Sequence, residues 1–179
     1  MATTTLMSFA DFERLDFGAD KVELLNGELV RMPPAQNDHM DVCERLFELL
    51  KAAVERLRQN SPATSLGKVH MERGYRLSGD PASWLQPDVS VTHPAQPCDR
   101  FYLGAPLIAF EIVSEFDRAP DLMEKVAAFL GNGAAEVWLI YPQQRHAWVY
   151  DGSGTAHQER SSIHTSLLPG IEIALTDIL

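Results

Sequence analysis

Two carboxylates and one lysine in this sequence have the types and spacing of a phosphoryl-transfer site. Asp88 lies in QPDVSV, and Glu111 interrupts the apolar segment LIAFEIVS. If both segments are strands, alternation places Glu111 on a face with apolar residues, where a lone charge needs a cation, a donor network or a metal. Two such acids on neighbouring strands could share one divalent cation, with the carbonyl of Ile112 as a third oxygen. Such an ion would polarise a phosphate oxygen and activate a water molecule.

The lysine lies on the helix predicted directly after the Glu111 strand, over residues 121–130. Leu122, Val126 and Phe129 form its apolar stripe at helical spacing, and Lys125 falls at the edge of that stripe. A lysine in this position can lay its stem on apolar surface and extend its ammonium toward the carboxylates. Spacing alone leaves two other outcomes open, a solvated lysine or a pair with Asp121 one turn earlier.

The elements that must position these residues predict an α+β fold. Asn26-Gly27 between apolar flanks indicates a two-residue hairpin turn within residues 21–32. A first helix is predicted from Asn37 or Asp38 to about residue 59, ended by residues 60–62. The predicted strands comprise residues 68–77, 84–92, 106–114, 136–141 and 147–150, with a short strand and a turn in the tail. These elements predict one domain over residues 1–179, a mixed sheet flanked by two main helices.

Composition limits the classes of function. The 179 residues carry a net charge of −10, which argues against a large nonspecific grip on nucleic acid. No apolar segment reaches the length of a membrane span, and the first residues do not resemble a secretory signal, so we expect a cytoplasmic protein without membrane contact. Cys43 and Cys98 are expected to be isolated thiols, and the six histidines form no HxxxH or HExxH zinc motif.

An ordered set of motifs then resembles a known family. The segments ELLNGEL, PDV, EIVS, DLMEK, GNGAAEVWLI and LLPGIEI, with His39 opening the first long helix, occur in the order seen in the Uma-type family of bacterial proteins described as restriction endonucleases. This family lies within the PD-(D/E)XK nuclease superfamily. The resemblance covers nearly the whole chain. It implies a restriction-endonuclease-like core, a central mixed β-sheet flanked by helices, with an N-terminal β-hairpin.

The resemblance also implies roles for individual residues. Asp88 and Glu111 would hold Mg²⁺ or Mn²⁺ during phosphodiester hydrolysis. The superfamily's usual lysine position, two residues after the acid, is here Val113. In this family that lysine is thought to have moved to the following helix, where Lys125 stands, to stabilise charge in the transition state. Glu23 matches a further acid of the family.

Two supporting roles and the overall function remain expectations. His39 would assist the site, although a residue at a helix start has an equally simple structural explanation, and Asp121 would orient Lys125. The favoured function is a metal-dependent DNA endonuclease, acting as a homodimer so that two sites address two strands. The alternatives are a catalytically inactive nuclease fold that serves as an interaction or nucleic-acid-binding module, and a metal-dependent hydrolase of another phosphate ester.

Overall fold

The computed structural model describes residues 6–18, 21–60 and 66–179. The helices in these ranges are α1 (Phe9–Phe12), α2 (Asn37–Asn60), α3 (Ala119–Gly131) and α4 (Leu175–Ile178). The strands are β1 (Val22–Leu25), β2 (Glu28–Arg31), β3 (Val69–Met71), β4 (Tyr75–Leu77), β5 (Ser83–Leu85), β6 (Val89–Val91), β7 (Tyr102–Leu103), β8 (Ile108–Ile112), β9 (Glu136–Tyr141), β10 (His146–Asp151), β11 (Ala156–Glu159), β12 (Ser162–Ile163) and β13 (Ile173–Ala174).

The larger of the sheets has six strands in the order β11-β10-β9-β8-β6-β3. β8 and β9 run parallel, and the other neighbours in this sheet run antiparallel, so the sheet is mixed. A second sheet has the order β2-β1-β5-β4-β7, and β12 pairs with β13. The predicted α+β class, with a mixed sheet flanked by helices, is confirmed.

The two faces of the larger sheet contact different layers. On one face, Leu46 of α2 and Phe110 of β8 belong to the same buried cluster. On the other face, Phe129 of α3 and Leu139 of β9 form a second cluster that also includes Tyr75 of the smaller sheet. Because side chains alternate along a strand, residue 111 points away from α2, toward α3 and the smaller sheet.

The predicted N-terminal hairpin is confirmed. Asn26 and Gly27 have φ values of 51° and 80°, as a type I′ turn requires at both central positions. The turn joins β1 to β2 with Leu25 opposite Glu28. β1 also pairs with β5, so the hairpin is part of the smaller sheet and carries Glu23 toward the interior.

Two strands predicted as continuous are each broken, so this part of the prediction was wrong. Residues 68–77 form β3 and β4, which belong to different sheets, because the chain turns at Glu72, whose φ is 47°, and at Gly74. Residues 84–92 form β5 and β6, with a break around Pro87, which cannot donate a ladder hydrogen bond. The second break places Asp88 immediately before β6.

The two main helices are confirmed. α2 covers the first predicted helix, although residues 61 and 62 of its predicted end lie outside the described residues. α3 covers the second, with Pro120 in its first turn, where a missing N–H breaks no helical bond. Ser8 caps the short α1, which we did not predict. Among the described residues, no helix combines the length and apolar character that crossing a membrane requires.

Candidate active site

The carboxylate of Asp88 is buried and has donors from three elements of the chain. The peptide N–H of Ile112 donates to its Oδ2 at 2.8 Å, and the ammonium of Lys21 donates to its Oδ1 at 3.1 Å. His39 Nε2 lies 3.4 Å from the same Oδ1. Burial alone would raise the pKa of Asp88, but the contact with His39 and the charge of Lys21 lower it below its ordinary value. Asp88 is therefore ionised at neutral pH.

Glu111 lies beside Asp88 because of the register between β6 and β8. Val89 is opposite Phe110 in this antiparallel pair, so the next position outward brings Asp88 opposite Glu111. The hydrogen bond from the Ile112 N–H to Asp88 fixes the two segments at this point. The two carboxylates are close enough for the negative charge of Asp88 to raise the pKa of Glu111.

Lys125 extends from α3 to the carboxylates, as the sequence suggested it could. Its side chain is nearly enclosed, with the residue 8% exposed. Its Nζ lies 2.7 Å from Oε2 of Glu23 and 3.3 Å from Oε2 of Glu111. Glu23 also accepts a hydrogen bond at 2.7 Å from the backbone N–H of Gln86. One ammonium thus joins an acid of the hairpin to an acid of the larger sheet.

One lysine cannot balance both of these buried carboxylates equally. Glu23 has the shorter ion pair and a backbone donor, whereas Oε1 of Glu111 is buried without a hydrogen-bond partner among the described residues. Burial raises the pKa of Glu111 to about 8, in spite of the opposing charge of Lys125. The same carboxylates raise the pKa of Lys125 above its ordinary value, although burial alone would lower it. Oε1 of Glu111 is therefore the carboxylate oxygen of this pair of glutamates for which the described residues supply neither a hydrogen bond nor an ion pair.

Of the predicted site residues, the structure brings together Asp88, Glu111, Lys125 and Glu23, and it also places His39 against Asp88. Asp121 is different. The described ion pairs of Lys125 are to the two glutamates, and none of those among the described residues joins it to Asp121. The orienting role of Asp121 therefore stays a prediction.

A family model described as "Putative restriction endonuclease", Uma2, matches residues 9–176. This range contains each of the residues discussed above. The chain belongs to the Uma2 family. None of the curated proteins matches it.

A solved structure supports the fold of this Uma2 family member. The crystal structure of a protein from Anabaena variabilis, described as "a putative nuclease belonging to DUF820", superposes with a TM-score of 0.81. The alignment covers 96% of this chain and 97% of that one at 17% sequence identity. A likeness at this identity concerns the fold alone, and it agrees with the restriction-endonuclease-like fold that the sequence predicted. Family and fold together support a nuclease.

Sequence reasoning missed three residues around Asp88, namely Lys21, Glu72 and Cys43. The ammonium of Lys21 lies 3.1 Å from Glu72 as well as from Asp88. Cys43, His39 and Asp88 each offer one potential metal-ligand atom, and these atoms lie within 4.8 Å of one another. The spacing along the sequence could have indicated Lys21 and Cys43. Lys21 precedes Glu23 by two positions on an extended segment, and Cys43 follows His39 by one helical turn.

Proposed function

We propose that this protein is a metal-dependent endonuclease that hydrolyses phosphodiester bonds of DNA. The observation that carries the proposal is the unpartnered Oε1 of Glu111, buried next to the ionised Asp88 with Lys125 in contact. A buried acid without a partner is costly in a folded protein. A hard divalent cation would bind the free Oε1 of Glu111 beside the ionised Asp88, and its preferred ligands are oxygens of this kind.

In this proposal, Asp88 and Glu111 hold Mg²⁺ or Mn²⁺, together with the backbone carbonyl of Ile112. When bound, such an ion polarises a phosphate oxygen and lowers the pKa of a bound water molecule. Glu111 gives up its proton to become a ligand, and Asp88 is already ionised. The peptide N–H of Ile112 keeps the Asp88 carboxylate in a fixed orientation.

Lys125 supplies positive charge from the other side of the acids. Its pKa is raised, so it is an ammonium throughout the neutral range. Glu23 holds that ammonium at 2.7 Å, which leaves the longer contact to Glu111 as the weaker of the two. A fixed positive charge of this kind stabilises the negative charge that develops on a phosphate in the transition state.

The choice of DNA as substrate rests on the family description. The proposed homodimer rests on the fact that a DNA duplex has two strands to cut. Two strands have to be cut, and one set of these acids is present in each chain, so a homodimer would supply the second set. The net charge of −10 means that attraction to phosphate has to come from local groups and the bound ion rather than from the whole molecule.

The test is Mn²⁺ binding by calorimetry, followed by plasmid nicking on the same samples. Asp88→Asn should abolish both, because the ion loses an ionised ligand. Lys125→Met should retain Mn²⁺ binding and reduce nicking by about 100-fold or more, since it removes charge stabilisation but no ligand. Asp41→Asn is the matched control, because Asp41 is an exposed acid of α2 paired with Arg45, and it should change neither measurement.

The contrary results are distinct. Mn²⁺ binding that depends on Asp88, without cleavage of any nucleic acid, would replace DNA by another phosphate ester. Failure of the wild-type protein to bind Mn²⁺ would overturn the enzyme and favour an interaction module. Full nicking activity in Lys125→Met would remove Lys125 from the mechanism.

A further inference from the structure

A second set of potential metal-ligand atoms lies around Asp88. His39 and Cys43 are one turn apart on α2, so their side chains share a face of the helix. Both reach Asp88, and the potential ligand atoms of the three residues lie within 4.8 Å of one another. The thiol is 2% exposed, whereas the imidazole has access to solvent.

The donor atoms of this group differ in kind from those of the proposed magnesium site. A nitrogen, a sulfur and an oxygen suit zinc and its borderline neighbours, and they do not suit the hard Mg²⁺ ion. Ligand distances of about 2.0–2.3 Å around zinc require donor atoms roughly 3.3–3.8 Å apart. His39 Nε2 and Asp88 Oδ1 are already 3.4 Å apart, so small side-chain movements complete the set.

We propose that His39, Cys43 and Asp88 form a binding site for a zinc-class divalent ion. Three protein ligands leave one tetrahedral position open for a water molecule or an oxygen of a bound phosphate. His39 and Cys43 have an HxxxC spacing on one helix, and Asp88 adds the third ligand from the sheet. A sequence search for the zinc motif HxxxH does not detect this combination.

Three groups must change when the ion binds, namely Lys21, Cys43 and His39. Lys21 has to leave Asp88 Oδ1, and Glu72 is a ready second partner because its Oε1 already lies 3.1 Å from the Lys21 ammonium. Burial raises the pKa of the Cys43 thiol, so the ion has to displace its proton, which passes to solvent, because the thiolate is the ligand. His39 has to present a proton-free Nε2, which now faces Asp88, so its imidazole also gives up the proton at that nitrogen. The S–H bond breaks and a metal–sulfur bond forms, without a change of oxidation state.

Sharing Asp88 has a consequence that rests on the proposed nuclease function. An ion held by His39 and Cys43 takes the carboxylate that the magnesium site needs. We therefore expect zinc to inhibit nicking in competition with Mg²⁺, whereas the binding of zinc itself does not depend on any activity.

The experiment is a titration of the purified protein with Co²⁺, which substitutes for zinc and reports its ligands by absorption. The wild-type protein should develop a near-ultraviolet thiolate-to-cobalt charge-transfer band at one equivalent, and zinc should remove it. Cys43→Ser should abolish the band. The matched control is Cys98→Ser, because Cys98 is the exposed free cysteine, and the band should persist in it.

Further variants keep the test decisive if Cys43→Ser folds poorly. His39→Gln retains the thiol and should weaken cobalt binding by about tenfold or more. Glu111→Gln should retain the band while losing Mn²⁺ binding, which separates this inference from the proposed nuclease. Absence of the band in the wild-type protein, or a band that depends on Cys98 rather than Cys43, would overturn the proposal.

Discussion

At the scale of single residues, Glu111 shows how a carboxyl group can persist inside an apolar strand. Its neighbours on the sheet exclude water, so the ionised form is disfavoured, and the ammonium of Lys125 is shared with Glu23 at a shorter distance. The residue therefore keeps a proton when no metal is present, and its pKa is about 8. If Glu111 holds the proposed metal ion, an acid in this state would couple metal binding to proton release and to stability.

This state predicts a pH dependence for the metal-free protein. The unfolded chain loses the Glu111 proton near pH 4.5, but the folded protein retains it up to about pH 8. Between these values the folded state binds more protons, so the free energy of unfolding should fall as pH rises. Urea unfolding in the presence of a chelator, at several pH values across this range, measures the effect. Glu111→Gln has no such proton to lose and should show a flatter profile.

The comparison of the two profiles isolates Glu111 from other groups nearby. His39 has a raised pKa because of its hydrogen bond to Asp88, so it adds stability at low pH that is lost as pH rises through that pKa. Both proteins contain His39, and its contribution cancels in the difference. Parallel profiles for wild type and Glu111→Gln would show that Glu111 titrates normally in the folded protein.

Sequence reasoning reached Glu111 and Lys125 because each breaks a local pattern, whereas Glu23 came only from the family resemblance. A glutamate within an apolar strand and a lysine at the edge of an apolar stripe are visible in one dimension. Lys21 and Cys43 break no such pattern. Their spacing from Glu23 and His39 indicates only a shared side of the chain. Their closeness to Asp88 depends on how the residue before the hairpin and the first turns of α2 pack against the larger sheet.

At the scale of elements, the broken strands show where the sequence was insufficient. Apolar residues alternate across residues 68–77 except at Arg73, and this single exception does not reveal that β3 and β4 belong to different sheets. The decisive feature is Gly74 at the break. A Cβ there would overlap the ring of Trp84 in β5, so the chain passes against that ring with no room for a side chain.

Gly74→Ala should therefore lower the free energy of unfolding by about 1–3 kcal/mol, the usual effect of overpacking a closely packed position. Urea unfolding measures it. Gly131→Ala is the matched control, because a Cβ at Gly131, the end of α3, would have no atom within 4 Å. That substitution should be neutral or stabilising by about 1 kcal/mol or less. Equal effects of the two changes would contradict the close approach at Trp84.

At the scale of the whole molecule, the acidic charge and the single set of site residues per chain bear on how DNA would be cut. A net charge of −10 opposes a long residence on DNA, so two independent cuts by one visiting monomer are unfavourable. A homodimer overcomes this difficulty, because both of its sites are present in one encounter. A monomer that cuts each strand separately and a homodimer that cuts both strands predict different products when active and inactive chains are combined.

Wild-type chains co-expressed in equal amounts with Asp88→Asn chains should form dimers of which about one quarter carry two active sites and one half carry one. Mixed dimers can cut only one strand in an encounter. The ratio of linear to nicked plasmid should therefore be well below the ratio that the wild-type protein gives when the two samples contain the same number of active sites. The control is the same two proteins purified separately and mixed just before the assay, which leaves dimers unexchanged and should give the wild-type product ratio. An unchanged ratio in the co-expressed sample, with a light-scattering mass of 19.9 kDa, would show that each chain cuts alone.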